Sequence, residues 1–489
     1  MKTSGSIARR RRLALLLWLA ALQGTAFCDT RVAGENLELA FDSAGNIAQA
    51  RSCIPGCDET GARIRSFDGA GPVFSAGGPT REPYRLVRSR GADATRLVFE
   101  SASGTRRLTW TVPDHGWLLR LEMVGLDSAR LASGPAFRPL PAAGFGPWLE
   151  RTRYVSITDE GVAIAELDDE PGPTLPAGSW SGFRNRFWAA LVRTQPGRAL
   201  AHASGPGRKD AEAVWRFDRR TGQAVDLYLG PVEPAALRSA SPELYDLMYA
   251  SLWLPLRWIC RALFLLLQAI HAAVSHWAVA IMLLSVAVSL LMRPLSKIAD
   301  RLQDDVHRTE GRLAPQMQEI RRNYRGEEQA ARILDLYKRE GVHPLYSLKS
   351  LAGVAVVLPI FIGAFDMLAE NIWLSGESFL WISDLSRPDA VARLPLPVLF
   401  LGDRLNVLPF LMTGLSVWAS WLHQHEALSA AQQRQQVQKL SLMAVAFFVL
   451  FYTFPSGMVL YWTTNNLISV ARNLYNRYRA SPTDSPDTQ

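Results

Sequence analysis

Apolar and polar positions along this chain change rhythm near residue 240. Before that point they alternate in short runs, as in Leu37-Glu38-Leu39-Ala40-Phe41, Leu97-Val98-Phe99 and Leu108-Thr109-Trp110-Thr111-Val112. Asp42-Ser43-Ala44-Gly45-Asn46, Ser103-Gly104 and Pro113-Asp114-His115-Gly116 interrupt them, and the last turns the chain into Trp117-Leu118-Leu119-Arg120-Leu121-Glu122-Met123. Successive side chains of a strand point to opposite faces, so this pattern predicts antiparallel β-structure, a large sandwich over about residues 29–240. Trp180 to Trp188 and Ala224 to Leu229 predict further strands. Aromatic residues at alternating positions favour a packed core over a glycan cleft, and no paired carboxylate stands out as catalytic.

Beyond residue 240 the apolar runs reach membrane length. Ala262 to Met292 contain no Asp, Glu, Lys or Arg, too long a stretch for one helix across a hydrocarbon core of about 30 Å. Leu252 to Val274, with Arg257, Arg261, Trp253 and Trp258, predicts an amphipathic helix lying along the interface, within a segment 241–275. Spans are predicted at Trp277 to Leu295, Leu351 to Trp373, Leu405 to Leu422, Leu440 to Phe454 and Gly457 to Ala471, within a core of residues 276–475. The last two are joined only by Phe454-Pro455-Ser456-Gly457 and are short, since fifteen helical residues reach about 22 Å. Either flanking residues extend this hairpin or the bilayer thins locally. Between the first two spans, Ile298, Leu302, Val306, Thr309, Leu313, Met317 and Ile320 recur at helical spacing. Asn323-Tyr324-Arg325-Gly326 marks a bend, and Ala330, Ile333, Leu334 and Tyr337 continue on a return helix, so 297–348 reads as a helical hairpin.

Composition and charge fix the setting. The chain has 489 residues, 20% charged, with a net charge of +8. That charged fraction lies below the ~25% of soluble proteins. Intrinsic disorder and a purely soluble enzyme are disfavoured, and no basic-aromatic patch points to nucleic acid. Arg9 to Arg12, the apolar run Leu13 to Leu22 and Gly24-Thr25-Ala26 have the parts of a secretory signal. The run is short for a span, which favours cleavage near Ala26 over a first transmembrane helix within residues 1–28. Either way the arginines stay in the cytosol and residues 29–240 are exported, which places the Arg-rich hairpin and the tail 476–489 in the cytosol. In an oxidising compartment Cys53-Ile-Pro-Gly-Cys57 is a plausible local disulfide.

Candidate chemistry is confined to polar stripes on the spans. Ser285, Ser289 and Arg293 fall at i, i+4, i+8; Thr413, Ser416 and Ser420 at i, i+3, i+7; Trp462, Asn465, Asn466, Ser469 and Asn473 on a comparable face. Small hydroxyl residues can simply pack helices together. Two adjacent asparagines and an arginine are costlier to place in lipid, and a half-open polar cavity facing the cytosol would satisfy them all. There is no GxxxxGK[ST] phosphate loop and no GxSxG turn, and nothing calls for a cofactor. His423-Gln424-His425-Glu426 reads as a loop end rather than a metal site, and Asp366 with Glu370 as an interfacial pair rather than a proton relay.

Phe454-Pro455-Ser456-Gly457-Met458-Val459-Leu460-Tyr461-Trp462-Thr463-Thr464-Asn465-Asn466-Leu467 resembles the last-hairpin motif of the YidC/Oxa/Alb membrane insertases. Arg293-Pro294-Leu295-Ser296-Lys297 resembles the exit of their first core helix, and Leu336 to Leu345 the end of their cytosolic hairpin. Leu358-Pro359-Ile360-Phe361 and Leu380-Trp381-Ile382-Ser383-Asp384-Leu385 resemble the next helix and its outer loop. Leu229-Gly230-Pro231 resembles the end of the large periplasmic domain of Gram-negative members. The resemblance implies a polytopic α-helical inner-membrane protein, with a five-helix insertase core and an all-β periplasmic sandwich. It implies a nucleotide-independent insertase or chaperone for nascent membrane proteins, with ribosome or targeting factors at the cytosolic hairpin and a possible link to the Sec translocon. Clients would slide along the second and fourth core helices, where Val357 and Met443 are suitable probe positions. Two departures stand out. The family's groove arginine lies five residues before the proline of Pro294-Leu295-Ser296-Lys297, where this chain has Ser289, with Arg293 one turn away; a usual glutamine is replaced by Val357. A divergent assembly scaffold for one client, and a transporter or sensor with a glycan-binding β-domain, are the alternatives.

Overall fold

The computed structural model describes residues 28–480, apart from 68–71, 78–83, 127, 133–143, 145, 166–177, 195–199, 204–211, 217–222, 344–347, 399–400 and 423–429. The predicted signal or first transmembrane segment and His423 to Glu426 therefore lie outside the described residues. The chain divides into two compact units, the first made of residues 1–139 and 151–248 and the second of 140–150 and 249–489.

The first unit is all β. Its strands are β1 (Cys28–Ala33), β2 (Leu37–Asp42), β3 (Ile47–Ile54), β4 (Arg63–Phe67), β5 (Phe74–Ala76), β6 (Tyr84–Arg90), β7 (Ala94–Ser101), β8 (Arg107–Pro113), β9 (Leu118–Val124) and β10 (Ser128–Ala132). β11 (Arg153–Thr158), β12 (Gly161–Ala165), β13 (Trp180–Arg184), β14 (Trp188–Thr194), β15 (Leu200–Ala203), β16 (Glu212–Arg216) and β17 (Gln223–Pro231) follow. One sheet runs β1-β2-β3-β5-β10-β16-β15, with β4 also paired to β3. The other runs β12-β11-β13-β14-β17-β9-β8-β7-β6. The strand pairings are antiparallel throughout both.

Alternation drives the packing. Along β9, Leu119, Leu121 and Met123 are buried, while Arg120, Glu122 and Val124 face out. Aromatics from both sheets fill the space between: Trp110 of β8 meets Phe41 of β2 at 5.5 Å and Phe74 of β5 at 5.6 Å between ring centroids. Its indole Nε1 donates to the Gly45 carbonyl at 2.8 Å, as a buried N–H must. Trp215 of β16 reaches across to the Ser181 hydroxyl on β13 at 3.1 Å. Trp110, Trp180 and Trp215 are fully buried, so these rings are core. Cys53 and Cys57 form a disulfide around a tight loop, and the Trp117 Nε1 donates to the Cys53 carbonyl at 3.1 Å.

β13 is buried on both faces, because the segment leaving the unit covers its outer side. A short helix Pro234–Ala240, capped by the Glu233 carboxylate, precedes a turn Pro242–Leu247, and the Arg184 guanidinium on β13 donates to the Leu247 carbonyl at 2.5 Å. Arg193 pairs with Asp226 at 3.1 Å beneath them. A hydrogen bond from the Ser241 hydroxyl, with Arg193 nearby, holds the Glu243 carboxyl below the usual range.

The second unit is helical. Its helices are α1 (Leu254–Val274), α2 (Trp277–Leu291), α3 (Arg293–Asn323), α4 (Gly326–Arg339), α5 (Leu348–Ala369), α6 (Leu408–Leu422), α7 (Ala430–Phe451) and α8 (Ser456–Ala480). Between α5 and α6 lies a two-stranded hairpin, β18 (Ala392–Val398) and β19 (Gly402–Leu405). α8 packs on α6 and α2, α7 on α6, α1 on α5 and α2, and α3 on α5. Among the described residues, α1 is the one helix long and apolar enough to cross a bilayer by length and composition, although its Arg and Trp content predicts an interfacial position. Gly363 of α5 permits its close approach to α1, since a Cβ there would sit 2.6 Å from the Ile259 Cγ2.

Several boundaries differ from the hydropathy reading: α5 ends at Ala369 rather than Trp373, and α6 begins at Leu408 rather than Leu405. The first span stops at Leu291 rather than Leu295, and Arg293 opens a new helix with Pro294 in its first turn. Proline lacks the N–H that a helix interior needs and is accepted where the first N–H groups have no partner anyway. The two helices of the last hairpin are longer than their apolar windows, at 22 and 25 residues. Polar Gln, Arg and Asn end hydropathy without ending the helix. α2 and α6 are shorter apolar helices, 15 residues each, or about 22 Å.

Gly230 leaves little room for a side chain in the β unit. An added Cβ would lie 2.7 Å from the Tyr228 ring and 2.8 Å from the Trp117 Cβ, and the buried Tyr228 hydroxyl is already committed to the Pro231 carbonyl at 2.6 Å. Gly230→Ala is expected to cost about 1–3 kcal/mol by overpacking, read as a lower unfolding temperature of the detergent-solubilised full chain. An unchanged temperature would mean that Tyr228 yields freely.

Candidate functional site: a polar seam between helices

α8 carries the seam. Its first turn is fixed by the loop after α5: the Ser456 hydroxyl donates to the Asp384 carbonyl at 3.1 Å, and the Ser456 and Gly457 N–H groups donate to the Arg387 and Leu385 carbonyls, each at 2.8 Å. The Phe454-Pro455-Ser456-Gly457 turn and the Trp381-Ile382-Ser383-Asp384-Leu385 stretch are thus one interlocked piece. Residues Phe451 to Leu460 are all buried. Around them an aromatic cluster joins α5, α7 and α8, with Phe361 at 4.5 Å from Trp462, Phe365 at 5.2 Å from Phe454 and Phe451 at 5.9 Å from Trp462. This end of the bundle is closed by ring packing.

One turn further along α8 the contacts become polar. The Ser289 hydroxyl of α2 donates to the Asn465 Oδ1 at 2.9 Å, and both side chains are only half-buried. The next residue turns about 100° around the helix. Asn466 therefore meets the other neighbour, its Nδ2 donating to the Met412 carbonyl of α6 at 3.0 Å. Two turns on, the Asn473 Nδ2 donates to the Ala419 carbonyl, also at 3.0 Å. The asparagines read as one wettable face are thus divided, Asn465 toward α2 and Asn466 with Asn473 toward α6. Each amide finds a partner because an unmet polar group in an apolar bundle costs several kcal/mol.

The remaining stripe residues divide in the same way. Thr413 and Ser469 bond back to their own helices, at the Pro409 and Asn465 carbonyls, 2.8 and 3.0 Å away. Ser416 is half-buried on α6. Ser285 is 1% exposed, and its hydroxyl has no hydrogen-bond partner among the described residues. Arg293 is exposed at the first turn of α3, one residue past Met292, the C-cap of α2. Met443 is exposed on α7, at 50%. Val357 belongs to α5, but its side chain lies outside the described residues.

Beside the seam stands a clamp that sequence reading missed. The Asp389 carboxylate accepts from the Val407 and Leu408 N–H groups, both at 2.8 Å, capping α6, and from the Trp381 Nε1 at 3.1 Å. Asn406 donates through Nδ2 to the Tyr452 carbonyl at 2.7 Å and accepts from the Ala390 N–H at 2.9 Å. A signal was there: an Asn ahead of an apolar run is a helix-start residue. Among the described residues no group of His, Cys, Asp or Glu could hold a metal ion.

Residues 269–483 match the family model described as the 60Kd inner membrane protein. A membrane protein insertase YidC of Shewanella woodyi is 26% identical over 87% of this chain and 76% of its own length. The YidC of Hahella chejuensis is 32% identical over 71% of this chain and 59% of its own length, and that of Helicobacter pylori 31% over 50% and 41%. Over residues 269–483 the chain is similar to these membrane protein insertases. It spans less than two thirds of the length of the last two of these relatives. The matched region takes in the whole seam, from α2 to α8.

Ser289→Ala and Asn465→Ala are each expected to destabilise the helical unit, with a coupling of about 0.6 kcal/mol in a double-mutant cycle, the usual size for interhelical bonds in membranes. Denaturant titration in mixed micelles measures it. Strictly additive losses would mean that the two side chains do not bond.

Proposed function

We propose that this chain is a membrane protein insertase that helps hydrophobic segments of nascent proteins enter the inner membrane. What supports the reading above all is the half-buried Ser289–Asn465 pair, bordered by the unpartnered Ser285 hydroxyl, within the region matched to the family. A polar flank of an incoming segment must shed water to cross, and hydroxyl and amide groups that exchange partners lower that cost. The apolar part of the segment then partitions into lipid, each buried CH₂ contributing about 0.8 kcal/mol, so no nucleotide is needed. The 15-residue α2 and α6 favour local thinning, which shortens the crossing.

In this reading the protein is multi-pass, with the β unit in the periplasm and α3 and α4 in the cytosol. Arg293, exposed where α2 gives way to α3, would be the first charge that a client's tail meets. The exposed Met443 on α7 would lie along the client path, together with α5 and its Val357. The hairpin of α3 and α4 is held by Leu313 and Leu336, both buried, and by the Tyr337 hydroxyl against the Met317 sulfur at 3.5 Å. Its outer face carries Arg332–Glu328 and Arg339–Asp335 pairs, at 3.1 and 2.7 Å. Such a mixed-charge face suits a ribosome or targeting factor, and the Sec translocon is a further partner to test.

A narrower reading, an assembly factor for one client, is favoured by one observation. Ser289 stands where the resemblance expects a groove arginine, and it engages the neutral Asn465.

The test places a photo-cross-linker at Met443 in the full chain and supplies ribosomes bearing stalled membrane-protein segments. Adducts to the nascent chain are expected, together with growth of cells depleted of their main insertase. Adducts to lipid alone would contradict the insertase reading, and client adducts without growth rescue would select the narrower one.

A further inference from the structure

The connection between α5 and α6 presents apolar side chains to the outside at two places. Phe379 and Ile382 exchange backbone hydrogen bonds, both 2.8 Å, leaving Leu380 and Trp381 as the two-residue tip of a tight turn. Leu380 is 76% exposed and has a φ of 52°, a left-handed backbone that is uncommon for a leucine. The second place is the β18–β19 hairpin, where Leu396 is also 76% exposed and Val398 is 46% exposed.

Both are held rigidly at the same end of the helices. Asp389 ties Trp381 to the start of α6, and the Tyr452 hydroxyl donates to the Arg404 carbonyl of β19 at 3.0 Å while α7 ends at Phe451. Exposed leucines on a braced, ordered scaffold call for a cover. Along β18 the apolar Leu394, Leu396 and Val398 alternate in sequence with Arg393, Pro395 and Pro397, and the pairing with β19 shifts register between Arg393 and Val398. Arg393 lies directly opposite Arg404 in the register. Like charges directly opposite one another destabilise a strand pair unless anions sit near them; Asp403, 3.9 Å from the Arg404 guanidinium, offsets part of this repulsion.

We infer that the Leu380–Trp381 tip and the β18–β19 hairpin form a single anchor on the outer membrane-water interface of the bilayer that α6 enters. Leu396 and Val398 lie among the upper acyl chains, and Arg393 and Arg404 reach the lipid phosphates along their flexible stems. Charge complementarity and the direct continuity of the hairpin with α6 select lipid over a protein partner. Trp381 sits at the headgroup level, where its ring is favoured. The anchor fixes the height of α6, and with it the level of the seam. It rests on the membrane placement of the helical unit and not on client insertion.

The test uses the full chain reconstituted in vesicles of phosphatidylethanolamine and phosphatidylglycerol. Nitroxide labels are attached at Leu396→Cys, with Val398→Cys as the substitute position, and at Leu442→Cys, an exposed α7 site; the unsubstituted chain supplies the background. Collision with oxygen is expected to exceed collision with a water-soluble nickel complex at 396, as at 442. Lipid at 442 with water at 396 would overturn the anchor alone, whereas water at both would also overturn the membrane placement. Shielding from both probes at 396 would mean a protein cover and would equally overturn it. In Arg393→Glu/Arg404→Glu, nickel collisions at 396 are expected to rise at least twofold. An unchanged value would remove the phosphate contact.

Discussion

Asparagine is among the least comfortable residues to place inside an apolar helical bundle, because its amide has two donors and a two-lone-pair acceptor that must find partners. α8 carries Asn465, Asn466 and Asn473, and the arrangement of the neighbouring helices follows from that. Asn465 requires a partner on α2, while Asn466 and Asn473 require backbone carbonyls on α6. Because successive residues diverge by about 100°, two adjacent asparagines force α8 to stand between two helices rather than against one. The seam is therefore structural glue as well as chemistry. What separates Ser289–Asn465 from the other pairs is that both members are side chains and both are only half-buried. A bond between two side chains can be exchanged for a bond to a visitor without unravelling a helix.

The bundle is built asymmetrically along its length. Toward the interlocked Ser456 turn, Phe361, Phe365, Phe451, Phe454 and Trp462 pack ring against ring and close the interior. On the other side of that plug come the hydroxyls and amides, and then the exposed Arg293. In the proposed reading, a polar flank would enter from one side and stop, while an apolar helix would leave sideways into lipid.

Much of this was legible in the chain. Period-two alternation in Leu118 to Met123 translates directly into buried and exposed positions along β9. The bend at Tyr324 lies between α3 and α4, where helical spacing breaks. Other features were not, for physical reasons. Hydropathy reports lipid preference and not helix length, so the polar extensions of α7 and α8 were invisible to it. Pro294 fits a helix exit in sequence and equally starts a new helix, so that Arg293 belongs to α3. A stripe drawn on one helix cannot say which neighbour each residue will face, so Asn465 and Asn466 were grouped together. The β18–β19 hairpin was hidden by its prolines, which argue against a central strand but suit an edge. The Asp389–Asn406 clamp depends on contacts with Trp381 and Tyr452, which only the fold brings close.

The central claim is that water reaches the seam. The most direct measurement is the alkylation rate of single cysteines placed at Ser285, Ser289 and Ser469 in native membranes, using a charged thiol reagent, with Leu283 as a lipid-facing reference. Faster reaction at 289 and 469 than at 283, slowed by a bound nascent chain, is the predicted result. Equal inertness at all four positions would contradict it, because the serines and asparagines would then serve only to hold the helices together.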